Sequence, residues 1–297
     1  MNILTLLVPD FLLILVGFVL IRMTDWGPVF WTGLEKLVYF VLFPALLFVS
    51  TSRTPLDFHA TGSLLQVALL SCASGIALGW LAKPLFKPGP MVFESGVQTA
   101  FRFNSYIGLA VAFRLGGEAG TSLMALIIGF AVPLCNMAAV HALAHRNKGS
   151  LLREMAKNPL LLATASGTLF NALGGVLPDL LANTLSRMGS ASIALGLLMV
   201  GAGLKLEGLS EARGISAYFT AVKLLALPAI SLALATLFEL PPLQKQIAVM
   251  FCALPTASSA YVLATRMGGH GPLVAFLISA GTLLSIVTLP MWLLIAG

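Results

Sequence analysis

Four polar residues, Arg102, Asn104, Ser105 and Tyr106, stand together in the run FRFNSYIGLAVAFRLGG (101–117), inside an otherwise apolar segment. They begin about ten residues into that segment. At ~1.5 Å per helical residue this is roughly 15 Å deep, near the middle of a ~30 Å hydrocarbon layer. Asn and Ser side chains compete with the helical backbone for hydrogen bonds, and Gly108 follows four residues after Asn104, so the helix is expected to break here. Irregular backbone at membrane depth is tolerated only where it lines a cavity or is packed in protein. The N–H groups that open a new half-helix favour an anion. The same side chains could instead hydrogen-bond to a neighbouring helix. Arg102 adds a full positive charge, which costs several kcal/mol at that depth unless paired or hydrated. It could attract a carboxylate, pair with an acid on another helix, or snorkel toward the surface. Lys223 shares this ambiguity.

A second polar interruption, ALPTASSAYVLATRMGG (253–269), lies in the other half of the chain. Pro255 removes a helical N–H and clashes with the preceding turn. Thr256, Ser258 and Ser259 place three hydroxyls around it. Proline kinks with nearby hydroxyls also occur in membrane helices that bind nothing, but here the two interruptions are related. A shift of 152 carries Ala112, Arg114, Gly116-Gly117 and Gly129 onto Ala264, Arg266, Gly268-Gly269 and Gly281. Paired interruptions in corresponding positions of two halves are the sequence pointer to a transporter's binding site. The substrate-binding candidates are therefore Arg102, Asn104, Ser105, Tyr106, Pro255, Thr256, Ser258 and Ser259. Asp10 and Asn136 are candidates for holding a coupling cation. Asp10 could equally sit in a solvated vestibule, and Asn136 could equally join helices.

The elements that must position these residues are membrane spans. The chain is 297 residues long, 58% hydrophobic and only 9% charged, against about 25% charged in soluble proteins; its mean hydropathy is +0.97. Ten spans are predicted, at roughly 3–21, 29–50, 62–82, 92–114, 119–143, 158–177, 181–204, 215–238, 243–266 and 271–295. Met1–Leu20 lacks a basic start and carries Pro9 and Asp10, so it reads as the first span rather than a cleavable signal. Residues 1–145 form a first five-helix repeat, 146–157 a cytoplasmic connecting loop, and 158–297 a second repeat. Pro9 and Gly17 recur 150 residues on as Pro159 and Gly167. Five spans is an odd number, so the second repeat must enter the membrane from the opposite side. The fold expected is an all-α polytopic membrane protein of two inverted repeats with broken fourth and ninth helices.

Loop charge sets the orientation. One side collects ten Lys and Arg residues and the other four (Arg53, Arg114, Arg187 and Lys245). The ten-charge side is expected to be cytoplasmic, with both termini outside. The net charge of +6 is scattered between apolar runs and is not a nucleic-acid signal. Cys72, Cys135 and Cys252 fall inside spans without metal-ligand spacing and read as small buried residues. No catalytic constellation, cofactor motif or phosphate-binding loop is present. No nucleotide-binding domain is present to drive a pump.

At these residues the chain resembles the auxin efflux carrier family, in its bacterial branch related to plant PIN-type carriers. The resemblance rests on Arg102 to Leu109, on Asn158-Pro159 through Gly167, on Leu177-Pro178, and on Ala194-Leu195-Gly196 to Leu204. It continues through Ala253-Leu254-Pro255, Val262-Leu263-Ala264 and Thr288-Leu289-Pro290. Where family members commonly carry crossover prolines, this chain has Ala110 and Ala260, and it lacks the long central loop of many plant members. The resemblance implies a fold similar to sodium/bile-acid symporters, with fourth and ninth helices crossing near the midplane. It also implies a dimerising scaffold of helices 1, 2, 6 and 7, a moving domain of helices 3–5 and 8–10, and elevator-type transport of organic anions such as malonate, malate or auxin-like acids. The membrane implied is the bacterial inner membrane. Two alternatives remain at this point: a sodium- or proton-coupled symporter or exchanger, and a non-transporting sensor or assembly factor.

Overall fold

The computed structural model describes residues 3–53, 58–143, 159–204 and 212–297. The expected connecting loop, 146–157, lies outside them. Among the described residues every regular element is helical. In chain order they are α1 (Ile3–Met23), α2 (Pro28–Arg53), α3 (Phe58–Phe86), α4 (Pro90–Gly96, continued by a 3-10 turn Val97–Ala100) and α5 (Ser105–Leu143). Then follow α6 (Pro159–Ala172), α7 (Asp179–Ala202), α8 (Arg213–Leu237), α9 (Pro242–Ala253), α10 (Ser259–Arg266) and α11 (Gly271–Ala296). Among the described residues six stretches are long and apolar enough to cross a membrane: α2, Thr61–Phe86 of α3, Pro90–Leu143, α7, α8 and α11. Pro90–Leu143 is interrupted between α4 and α5, and α5 itself turns at Gly116 and Gly117. Gly117 has φ +56° and Gly268, in the glycine pair that follows α10, has φ +74°. Only glycine adopts such angles without strain.

The chain forms two compact units. The first comprises Met1–Thr61, Tyr106–Phe130 and Leu152–Gly203. Small residues let its helices approach backbone to backbone, as they do in membranes where the hydrophobic effect supplies no force between helices. Gly17 of α1 packs on the Leu198 carbonyl of α7, and Gly167 of α6 packs on the Phe48 carbonyl of α2. Residues 17 and 167 are 150 apart, and so are their partners 48 and 198. The offset seen in the Pro and Gly pattern is thus repeated in the contacts. Gly201 of α7 meets Ile14 of α1, and Gly189 meets Leu46 of α2. Large apolar side chains on this unit, including Val8, Leu12, Leu15, Leu169 and Leu180, face outward, as lipid contact requires.

The second unit comprises Gly62–Ser105, Ala131–Leu151 and Leu204–Gly297. Here α8 carries a π-helical turn at Val222–Ala226 just before Pro228. Proline cannot donate to the carbonyl four residues back and crowds it. That carbonyl, on Leu224, is instead taken by the Trp292 indole N–H of α11 at 2.9 Å. Ser95 of α4 accepts from the His270 N–H at 2.7 Å, which ties α4 to the start of α11. Ala260 and Ala264 of α10 pack on Val274 and Ile278 of α11.

A methyl group at Gly17 would overlap the Leu198 carbonyl, whereas one at Gly33 meets nothing within 4 Å. Gly17→Ala is expected to destabilise the protein by about 1–3 kcal/mol and Gly33→Ala not at all. Thermal unfolding of the two purified variants checks the contrast.

Candidate functional site

Both helices expected to break do so. After α4 the backbone is non-helical over Phe101–Asn104, and after α9 it is non-helical over Leu254–Ser258. The first break lies slightly earlier than expected: Ser105 and Tyr106 already belong to α5. The reason is a tertiary bond. The Asn104 N–H donates to the Pro255 carbonyl at 2.8 Å, which takes that amide away from its own helix. At the second break Pro255 forces its predecessor into an extended conformation, and Leu254 has φ −61° and ψ 141°.

Ending a helix in apolar surroundings strands its last carbonyls. Here one carbonyl at each break is met from across the site. The Thr256 hydroxyl donates to the Thr99 carbonyl at 2.8 Å, in the 3-10 turn that ends α4. The Lys223 ammonium donates to the Cys252 carbonyl at 3.1 Å, in the last turn of α9. Phe103 and Phe251 pack edge to face with ring centroids 4.6 Å apart. The two breaks therefore form one bonded crossing within the second unit.

Two positive side chains are buried at it. Arg102 is 8% exposed and Lys223 3%. The Arg102 guanidinium donates to Gln98 Oε1 at 3.0 Å, Asn136 Oδ1 at 2.9 Å and Ser259 Oγ at 3.1 Å. These oxygens come from three separate elements and hold the group in place. Gln98 and Thr99 were not singled out from the sequence. The signal for Gln98 was its position one helical turn before Arg102.

Of the candidate binding residues, Arg102, Asn104, Pro255, Thr256 and Ser259 are brought together by these bonds. Ser105 and Ser258 adjoin them in the chain and are half-buried. Tyr106 belongs to the first unit, where its ring stacks on Phe43 at 4.9 Å and packs on Gly196. Asp10 also lies in the first unit and is paired there: its Oδ1 accepts from Arg114 Nη2 at 3.3 Å. Asn136 is an Arg102 acceptor. The three cysteines are free and buried, as expected. Among the described residues no cluster of His, Cys, Asp or Glu could hold a metal.

Residues 141–293, just over half of the chain, match a family described as membrane transport protein. Two similar relatives cover nearly the whole chain. One, from Rhizobium meliloti (strain 1021), is named a putative malonate transporter; it is 26% identical over 95% of this chain and 92% of its own length. The other, from Methanothermobacter thermautotrophicus, is named an uncharacterized transporter and is 24% identical over 94% of each chain. These likenesses identify a multi-pass membrane transporter and not an enzyme. The chain belongs to the auxin efflux carrier family of membrane transport proteins.

Proposed function

We propose that the protein is a secondary transporter of small organic anions, with mono- and dicarboxylates such as malonate or malate as its substrate class. The observation that carries this reading is the crossing itself: two interrupted helices joined by hydrogen bonds, with a buried guanidinium positioned by Gln98, Asn136 and Ser259. A guanidinium fixed at this place attracts a carboxylate, and the start of α5 adds the positive end of a helix dipole. Arg102, Asn104 and Ser105, with Thr256, Ser258 and Ser259, would then contact the substrate. The relative named for malonate supports a dicarboxylate in particular.

On this reading the chain has ten spans in two inverted repeats. The 150-residue offset shared by the Gly17–Leu198 and Gly167–Phe48 contacts supports the repeat. Alternating access would come from an elevator-type movement, in a homodimer, with both termini outside a bacterial inner membrane. Asp10, whose Oδ1 accepts from Arg114 at 3.3 Å, is assigned no coupling role in this reading.

Purified protein in proteoliposomes is expected to take up radiolabelled malonate or a related dicarboxylate saturably. Asn104→Ala is expected to lower uptake severalfold, and uptake at the wild-type rate would place the site elsewhere. Arg102→Gln removes the charge and is expected to weaken apparent substrate affinity tenfold or more, equivalent to about 1.4 kcal/mol. The concentration dependence of uptake measures it.

A further inference from the structure

The Lys223 ammonium is not among the proposed substrate contacts, yet it is almost fully buried at the crossing. It meets the C-terminal end of α9 at the Cys252 carbonyl. In broken-helix transporters, half-helix C-termini and unwound carbonyls are where alkali cations bind. Lys223 also lines a small cavity of about 10 Å³ with Thr99, Thr220, Thr256, Leu277 and Gly281, space for the centre of roughly one water.

The hydroxyls in that cavity decide which sign of charge it suits. Thr99 Oγ1 donates to the Gly96 carbonyl at 2.7 Å, and Thr256 Oγ1 donates to the Thr99 carbonyl at 2.8 Å. A hydroxyl has one proton. With that proton committed to the backbone, these two hydroxyls have only lone pairs left for the cavity, whose remaining polar lining is Thr220 and Lys223 itself. No carboxylate lines it. The cavity thus presents two committed acceptors beside the negative end of a helix, an arrangement that favours a cation over an anion.

We propose that the Lys223 ammonium is a tethered cation, supplied by the chain itself to the acceptor-lined cavity at the α9 break, where a free alkali ion would otherwise be needed. The consequence for coupling, that uptake does not require sodium, rests on the transport reading above. The role of the ammonium at the break does not.

The experiment reads thermal unfolding of purified protein without substrate, so it is independent of the substrate assignment. Wild type, Lys223→Ala and Lys223→Met are compared in equimolar choline, sodium and methylammonium chloride. Wild type is expected to unfold at the same temperature in all three. Lys223→Ala should fall by roughly 5–10 °C in choline and recover at least half of the loss in methylammonium or sodium. Lys223→Met, whose side chain refills the space, should fall without recovering. Stabilisation of wild type by sodium over choline would overturn the proposal, as would an alanine variant that responds to neither small cation. Should Lys223→Ala not fold, Lys223→Gln keeps the donor and loses the charge. Its unfolding at the wild-type temperature would equally overturn the proposal, and a lowered temperature would support it.

Discussion

A backbone polar group without a partner cannot be left in hydrocarbon, and the second unit is organised around that constraint. Interrupting two helices releases carbonyls and amides that water would satisfy in a soluble protein. Here the interruptions satisfy one another. Pro255 offers its carbonyl to the Asn104 amide, and Thr256 returns a hydroxyl to the Thr99 carbonyl. Neither break is self-sufficient. The irregular backbone persists because both occur together, and each long-range bond is worth more in apolar surroundings than it would be in water.

The same constraint explains the choice of neighbours. Proline in α8 frees the Leu224 carbonyl, and Trp292 takes it. The end of α9 frees the Cys252 carbonyl, and a lysine takes it. A buried charge is tolerated there because the carbonyl end of a helix carries partial negative charge. Arg102 is held differently, by three neutral oxygens from separate elements. That arrangement fixes the position of the guanidinium.

The first unit solves another problem. Its helices must associate without help from water, so glycines at 17, 167, 189 and 201 bring backbones into direct contact. Its ion pair, Asp10 with Arg114, joins groups 104 residues apart in the chain. Neither partner's sequence neighbours point to the other, so the pair is a product of the fold.

Much of this protein was legible in its amino acids because hydropathy and helix-breaking chemistry are local. Apolar runs of membrane length located the helices, Pro255 located the second break, and the 150-residue recurrence of Pro and Gly marked packing contacts with the same spacing. The family likeness was readable in short motifs. Local chemistry could not say where the first helix stops, since Asn104 is released by a carbonyl 151 residues away. Nor could it say that Tyr106 stacks on Phe43, that Gln98 steadies Arg102, or that the lysine at 223 ends on the carbonyl of residue 252. Those outcomes depend on which orphaned polar groups meet in space. Only the folded chain decides that, because the energy of each buried hydrogen bond resides in its partner.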